Sequence, residues 1–151
     1  FCSVETISPY SSKFVDVSNY THLEIKVRSS YNATGYKVSF AANTLNPQMH
    51  SFKAGFNVIG DNKWHIIQIP FTSFSNDWSP YTGECGVLDP AGRMHKCCTK
   101  DTPEVCPNQK NLKSIQQIAL WMEGKTSKFD INVEYIGASN GSVNNKNSEQ
   151  F

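Results

Sequence analysis

The chain has 151 residues, a formal net charge of +1, 38% hydrophobic residues and 12% aromatic residues. That length carries one domain with one sizeable core. The near-zero charge offers no field for nucleic acid or an anionic membrane surface, and no apolar run approaches a helical membrane span. The chain opens at Phe1-Cys2 with no initiator Met and no signal-peptide pattern, as expected of a mature or excised fragment.

Residues 1–12 are polar, contain Pro9 and are expected to be irregular. Phe14-Val15-Asp16-Val17 reads as a first short strand, closed by a turn at Ser18-Asn19. Residues 20–30 alternate clearly: Leu23, Ile25 and Val27 against Glu24, Lys26 and Arg28. A period of two places one face on a core and the other in water. After a turn at residues 30–35, Tyr36-Lys37-Val38-Ser39-Phe40 alternates again. A Pro-containing loop at 43–49 leads to a strand at 51–59, with Ala54, Phe56 and Val58 on one side.

Residues 64–74 form the most informative run. A turn cluster, Gly60-Asp61-Asn62-Lys63, opens it. Trp64, Ile66, Ile67 and Ile69 suit a pleated, buried surface, and Pro70 ends it because proline gives the ladder no N–H. Phe71 and Phe74 follow and can plug the end of a core.

Residues 75–113 differ in kind. They hold Pro80, Pro90, Pro103 and Pro107 and four of the five cysteines, with few apolar residues. A loop of this length in a compact domain is functional or stapled. Residues 115–122 then read as a buried strand and 123–127 as a hairpin loop. Phe129, Ile131, Val133 and Tyr135 alternate with polar residues in a last strand, and the Asn/Ser-rich end reads as a tail. The expected organisation is an irregular segment at 1–12, a β-sandwich at 13–138 with a cysteine-rich loop at 76–111, and a flexible tail at 139–151.

Several short strands with turn signals and no helical period mean an all-β, antiparallel β-sandwich or jelly roll. Its expected core is Leu23, Ile25, Val27, Val38, Phe40, Phe56, Trp64, Ile69, Leu120, Phe129, Ile131 and Val133.

Cys85, Cys97, Cys98 and Cys106, with His95 nearby, could be a zinc site or two disulfides. Zinc prefers spaced Cys-x-x-Cys knuckles, and adjacent Cys97-Cys98 do not converge easily on one ion. Two disulfides are the better reading; four cysteines allow three pairings, and the sequence does not choose. Cys2 is left over to pair outside the fragment or with another chain. Asn-x-Ser/Thr sequons stand at Asn19, Asn32 and Asn140. Clustered cysteines with usable sequons favour a secreted or lumenal, oxidising setting.

No Gly-x-Ser-x-Gly elbow is present, and no carboxylate pair is placed by motif for acid–base work, so no catalytic residues are expected. His22 and His65 read as surface and structural. Sugars bind by stacking on an aromatic plane with polar neighbours taking the hydroxyls. Trp78, Tyr81, Trp121, Glu123 and Arg28 are the candidates for such a face. The competing reading has Trp121 packed beneath the excursion and Trp78 pinning it. No cofactor is expected beyond a structural calcium, for which Asp16, Glu134 and Asp61 are possible ligands without supporting spacing.

The order of elements resembles a family. Tyr20-Thr21-His22-Leu23-Glu24-Ile25-Lys26-Val27-Arg28, then Tyr36-Lys37-Val38-Ser39-Phe40, then the 64–74 run with its Ile-Pro-Phe corner, come in that order. Leu112-Lys113-Ser114-Ile115 and Phe129-Asp130-Ile131-Asn132-Val133-Glu134-Tyr135-Ile136 complete it. Over about residues 10–138 the chain resembles the complex I intermediate-associated protein 30 domain, a galactose-binding-like β-sandwich similar in shape to carbohydrate-binding modules. The resemblance implies no catalytic signature; its members are assembly factors or non-catalytic domains. The cysteine-rich segment at 79–107 departs from that pattern and suggests a secreted or lumenal relative. The expected function is a non-catalytic module recognising carbohydrate, with a protein-interaction or scaffold subunit as the alternative.

Overall fold

Period-two alternation becomes strand wherever one face finds a core. A computed structural model describes residues 2–7, 14–42, 51–123 and 128–141. The expected loop at 43–49, most of the hairpin loop at 123–127 and the tail beyond Gly141 lie outside the described residues.

Seven strands are present among the described residues: β1 (Cys2–Ile7), β2 (His22–Arg28), β3 (Ala33–Ala42), β4 (Phe52–Val58), β5 (His65–Pro70), β6 (Ile115–Met122) and β7 (Asn132–Ser139). They form a four-stranded sheet ordered β1-β6-β3-β4 and a three-stranded sheet ordered β5-β2-β7, antiparallel throughout. The one α-helix among the described residues, α1 (Gln109–Leu112), is a single turn with a reciprocal Asn108–Asn111 cap. The all-β sandwich expected from patterning is the fold.

The inner faces meet over Ile25, Val27, Val38, Phe40, Phe52 and Phe74, all at most 2% exposed. Leu120 and Ile131 pack against this cluster from its margin. Strand β2 keeps its other side partly in water.

β3 does not: residues 36–42 are buried on both faces. Its inner face holds Tyr36, Val38 and Phe40. Its outer face holds Lys37 and Ser39, buried where Trp78, Gly83 and Glu84 of the segment after β5 lie against the four-stranded sheet. That excursion starts at the edge of β4, where Lys53 and Ser75 exchange backbone hydrogen bonds of 2.9 and 3.1 Å. It thereby covers an edge otherwise open to pairing.

Several expectations are corrected. Residues 2–7 are not irregular but an edge strand on β6, whereas 14–17 is no strand. Trp64 is not core: it is 41% exposed, because it lies an odd number of residues from inward Ile69. Arg28 and Lys26 cover its ring instead, with Arg28 Cζ 5.0 Å and Lys26 Nζ 5.9 Å from the centroid. Phe129 and Val133 are likewise partly exposed. A register shift opposite Lys26/Val27 turns Tyr135 outward, where its hydroxyl donates to Glu24 at 2.6 Å.

Candidate functional site

The outer face of the four-stranded sheet gathers polar side chains from alternating positions of β3, β4 and β6. Lys37 and Ser39 come from β3, Lys53 from β4, Trp121 from β6, and Glu123 just beyond it. Trp121 is one residue from Leu120 and Met122 and so points away from the core, as the alternation requires.

At the centre the Lys53 ammonium lies between two indole rings, 3.9 Å from the centroid of Trp78 and 4.1 Å from that of Trp121. A desolvated cation between two indoles is a strong cation–π arrangement. The ammonium also donates to both Glu123 oxygens at 3.2 and 3.3 Å. Burial pushes the Lys53 pKa down, and Glu123 offsets part of that shift. The Trp78 indole N–H donates to the Ser51 carbonyl at 2.8 Å, and the Trp121 indole N–H to Ser39 Oγ at 2.8 Å. Gly83 closes the cluster from the excursion. Its φ is +66°, and a Cβ there would overlap the Glu123 carboxylate, so only glycine fits.

Beneath Trp78 the excursion has its own polar core. His95, 3% exposed, meets Asp77 Oδ1 through Nδ1 at 2.9 Å and Asp89 Oδ2 through Nε2 at 3.0 Å. A carboxylate only accepts, so both ring nitrogens must donate, and the ring is imidazolium. Arg93 adds a 2.9 Å bond to Asp77, and the Lys96 amide one of 3.1 Å. Burial alone would lower the His95 pKa, but Asp89 and Asp77 outweigh it and raise it. Burial opposes the charge of Asp77, yet the Lys96 amide, His95 and Arg93 hold its pKa low; the Arg93 amide and His95 do the same for Asp89.

The sign of the pH dependence follows. The His95 contribution is complete below the ordinary His value of about 6.5 and is lost as pH rises through its raised value. The Asp77 and Asp89 contributions are complete above about 4 and are lost as pH falls through their lowered values. The protection factors of residues 77–96, which measure exchange against its base-catalysed intrinsic rate, should therefore be greatest between these limits and fall toward alkaline pH. His95→Gln should remove the alkaline limb. Protection factors that are flat from pH 5 to 9 in the unaltered chain would contradict the imidazolium assignment.

Two disulfides staple the excursion, Cys85–Cys97 and Cys98–Cys106. The adjacent cysteines thus part to opposite partners, and Cys2 is an exposed free thiol. Such crosslinks indicate an oxidising environment, and each stabilises by about 2–4 kcal/mol. The hydrophobic core contains no cysteine. Reduction should therefore speed hydrogen exchange across 85–106 while the β-sheet circular dichroism persists; loss of both together would show the sandwich depends on the staples.

Of the five candidate ligand residues, Trp78, Trp121 and Glu123 converge, with one face of each indole committed to Lys53. Trp78 and Trp121 share the Lys53 ammonium, and the Trp78 indole N–H ties the excursion to the Ser51 carbonyl. Tyr81 stands on the excursion, 60% exposed. Arg28 is on the outer face of the other sheet, against Trp64. Sequence reasoning missed Lys53, Lys37 and the Asp77–His95–Asp89 cluster, for a lysine alternating with core residues looks like any solvated one. Asn19, Asn32 and Asn140 are exposed, and Asn32 Oδ1 accepts from the Gly60 amide at 2.8 Å. The calcium candidates have separate partners: Asp61 with His65 at 2.8 Å, Glu134 with Lys26 at 2.6 Å, Asp16 with the Ser18 amide at 2.9 Å. No group of three His, Cys, Asp or Glu is placed to hold a metal among the described residues.

Searches of curated proteins and of solved structures each found no match. The family model described as Complex I intermediate-associated protein 30 (CIA30) matches residues 1–84. That is more than half of the chain, and it takes in β1 to β5 and the excursion as far as Glu84, one residue before the first stapled cysteine. The chain belongs to the complex I intermediate-associated protein 30 family.

Proposed function

We propose that this chain is a non-catalytic, assembly-type module that holds a protein partner through its stapled excursion. The observation that carries the reading is the rigidity of that excursion. The Trp78–Lys53–Trp121 stack pins it to the sheet, and the His95 cluster and two disulfides brace it internally. It still presents Leu88 and Met94, 64% and 59% exposed and paired side by side across a short antiparallel bridge, with Tyr81 on the same segment. A preorganised tip with apolar side chains in water lowers the ordering cost of docking. The family match supports a partner-holding role, and the family is of assembly-factor type. The disulfides support an oxidising compartment, and we take the setting to be secreted or lumenal.

The candidate indoles open on a cleft of about 220 Å³, edged by Glu5 and Gln117, where a glycan could stack. With a face of each indole already taken by Lys53, we favour a protein partner. A photo-crosslinker at Leu88 or Met94 should capture one protein, while one at Ile66, on the opposite face of the sandwich, should not. Equal capture at all three positions would defeat the reading. A glycan-array signal removed by Gln117→Ala would replace it with carbohydrate binding.

A further inference from the structure

Beside the locked Lys53 cluster the same sheet face opens into a cleft of about 480 Å³, lined by Lys37, Gly55, Asn57, Thr82, Glu84 and Glu123 among others. Lys37 is the anomaly in it. Lys37 and Lys53 are both buried, 4% and 3% exposed, on one face of adjacent strands. Lys53 has two carboxylate oxygens within hydrogen-bond distance. Among the described residues Lys37 has one acidic partner, Glu84 Oε1, at 3.6 Å, beyond that distance, and the Glu84 side chain is 57% exposed. A buried ammonium is costly unless acceptors meet its donors.

The floor of the cleft points the same way. Gly55 pairs with Lys37 across the β3–β4 ladder and is exposed. A Cβ added there would meet only the Tyr36 carbonyl oxygen, at an ordinary 3.8 Å. Neither packing nor a positive φ therefore demands glycine at this position. Glycine inside a strand weakens it and often marks a place where another group approaches closely.

We propose that this cleft is a carboxylate pocket, in which an acidic side chain of a protein partner takes the place of Glu84 at the Lys37 ammonium. Displacing Glu84 costs little, because a half-exposed ion pair at that distance contributes little. With Glu84 swung out, the Lys53–Glu123 pair is neutral and Lys37 leaves one positive charge, which suits one carboxylate. A phosphate dianion would face the Glu123 carboxylate in the lining. The Asn57 amide and Thr82 hydroxyl can donate to the second oxygen of the incoming group. This deepens the protein-docking reading by naming the chemistry of one contact.

The test is an amide NMR titration of the whole chain with acetyl-Gly-Glu-Gly-amide, against acetyl-Gly-Gln-Gly-amide and inorganic phosphate. The Glu peptide should shift the amides of Lys37, Gly55 and Glu84 to saturation, several-fold more tightly than either control. Glu84→Gln should tighten binding by removing the internal competitor. Lys37→Met and Gly55→Val should each abolish it. Lys37→Met should also hold or raise the melting temperature, since it removes a buried charge whose partner is distant. Equal response to the Gln peptide or to phosphate, shifts that survive Lys37→Met, or a marked fall in its melting temperature would each overturn the proposal. Capture of a partner at Leu88 without a peptide response would remove this pocket and leave the docking tip standing. A peptide response without capture would do the reverse.

Discussion

Phe74→Ala should cost about 3–5 kcal/mol of unfolding free energy, whereas Trp64→Ala, in the same informative run, should cost far less. Phe74 is fully buried, with its ring 5.1 Å from Phe40 and 6.1 Å from Phe71. Phe40 in turn lies 5.3 Å from Phe52, so the ring joins the corner after β5 to the hub strand β3 and to β4. A 3-10 turn, Phe71–Ser73, sets it there, and Ser75 immediately afterwards pairs with Lys53. Truncating Phe74 empties the junction from which the excursion departs, and neighbouring strands cannot collapse into it without breaking their ladders. Trp64 loses mainly its contact with Arg28 and Lys26 at a half-wet surface. Urea denaturation of the two variants separates the cases; similar losses would mean the corner is not the keystone of the core.

The parts of the fold that were legible are those in which burial follows alternation. Leu23, Ile25 and Val27 announce β2 because their face meets a core and the other meets water. The corner at Phe71 and Phe74 was legible for the same reason. Trp64 faces outward despite its size, because its parity with inward Ile69 is odd. Tyr135 turned outward because one extra residue in a bulge reverses every side chain beyond it, and nothing local in the sequence marks that insertion. Strand β1 left little pattern because it joins the sheet by backbone pairing at an edge; Val4 is 66% exposed. At the site, Trp78, Trp121 and Glu123 were legible as aromatic and charged residues near the excursion. Lys53 was not, because its burial comes from a segment more than twenty residues away folding onto it. The disulfide pairing was open among three choices until the chain path around Cys97 and Cys98 was known.

The Lys53–Glu123 pair carries the sharpest energetic test of how that excursion is held. Their side chains are 1% and 11% exposed. Replacing Glu123 by Leu leaves the ammonium buried between two indoles without its counter-charge, and should cost about 3–5 kcal/mol. Lys53→Met alone leaves a buried carboxylate pressed against Gly83, and should also destabilise. The double variant, Lys53→Met with Glu123→Leu, removes both charges and puts a flexible thioether between the rings of Trp78 and Trp121, where sulfur–aromatic contact is favourable. It should recover most of the loss, because replacing a whole buried pair by apolar groups is often neutral or better. The double-mutant cycle, read by chemical denaturation, should therefore be strongly non-additive. Additive losses would show that water reaches the pair and that the indole stack, not the charge balance, locks the excursion to the sheet. Near-UV circular dichroism of Trp78 and Trp121 supplies the structural readout: it should weaken in Glu123→Leu and return in the double variant.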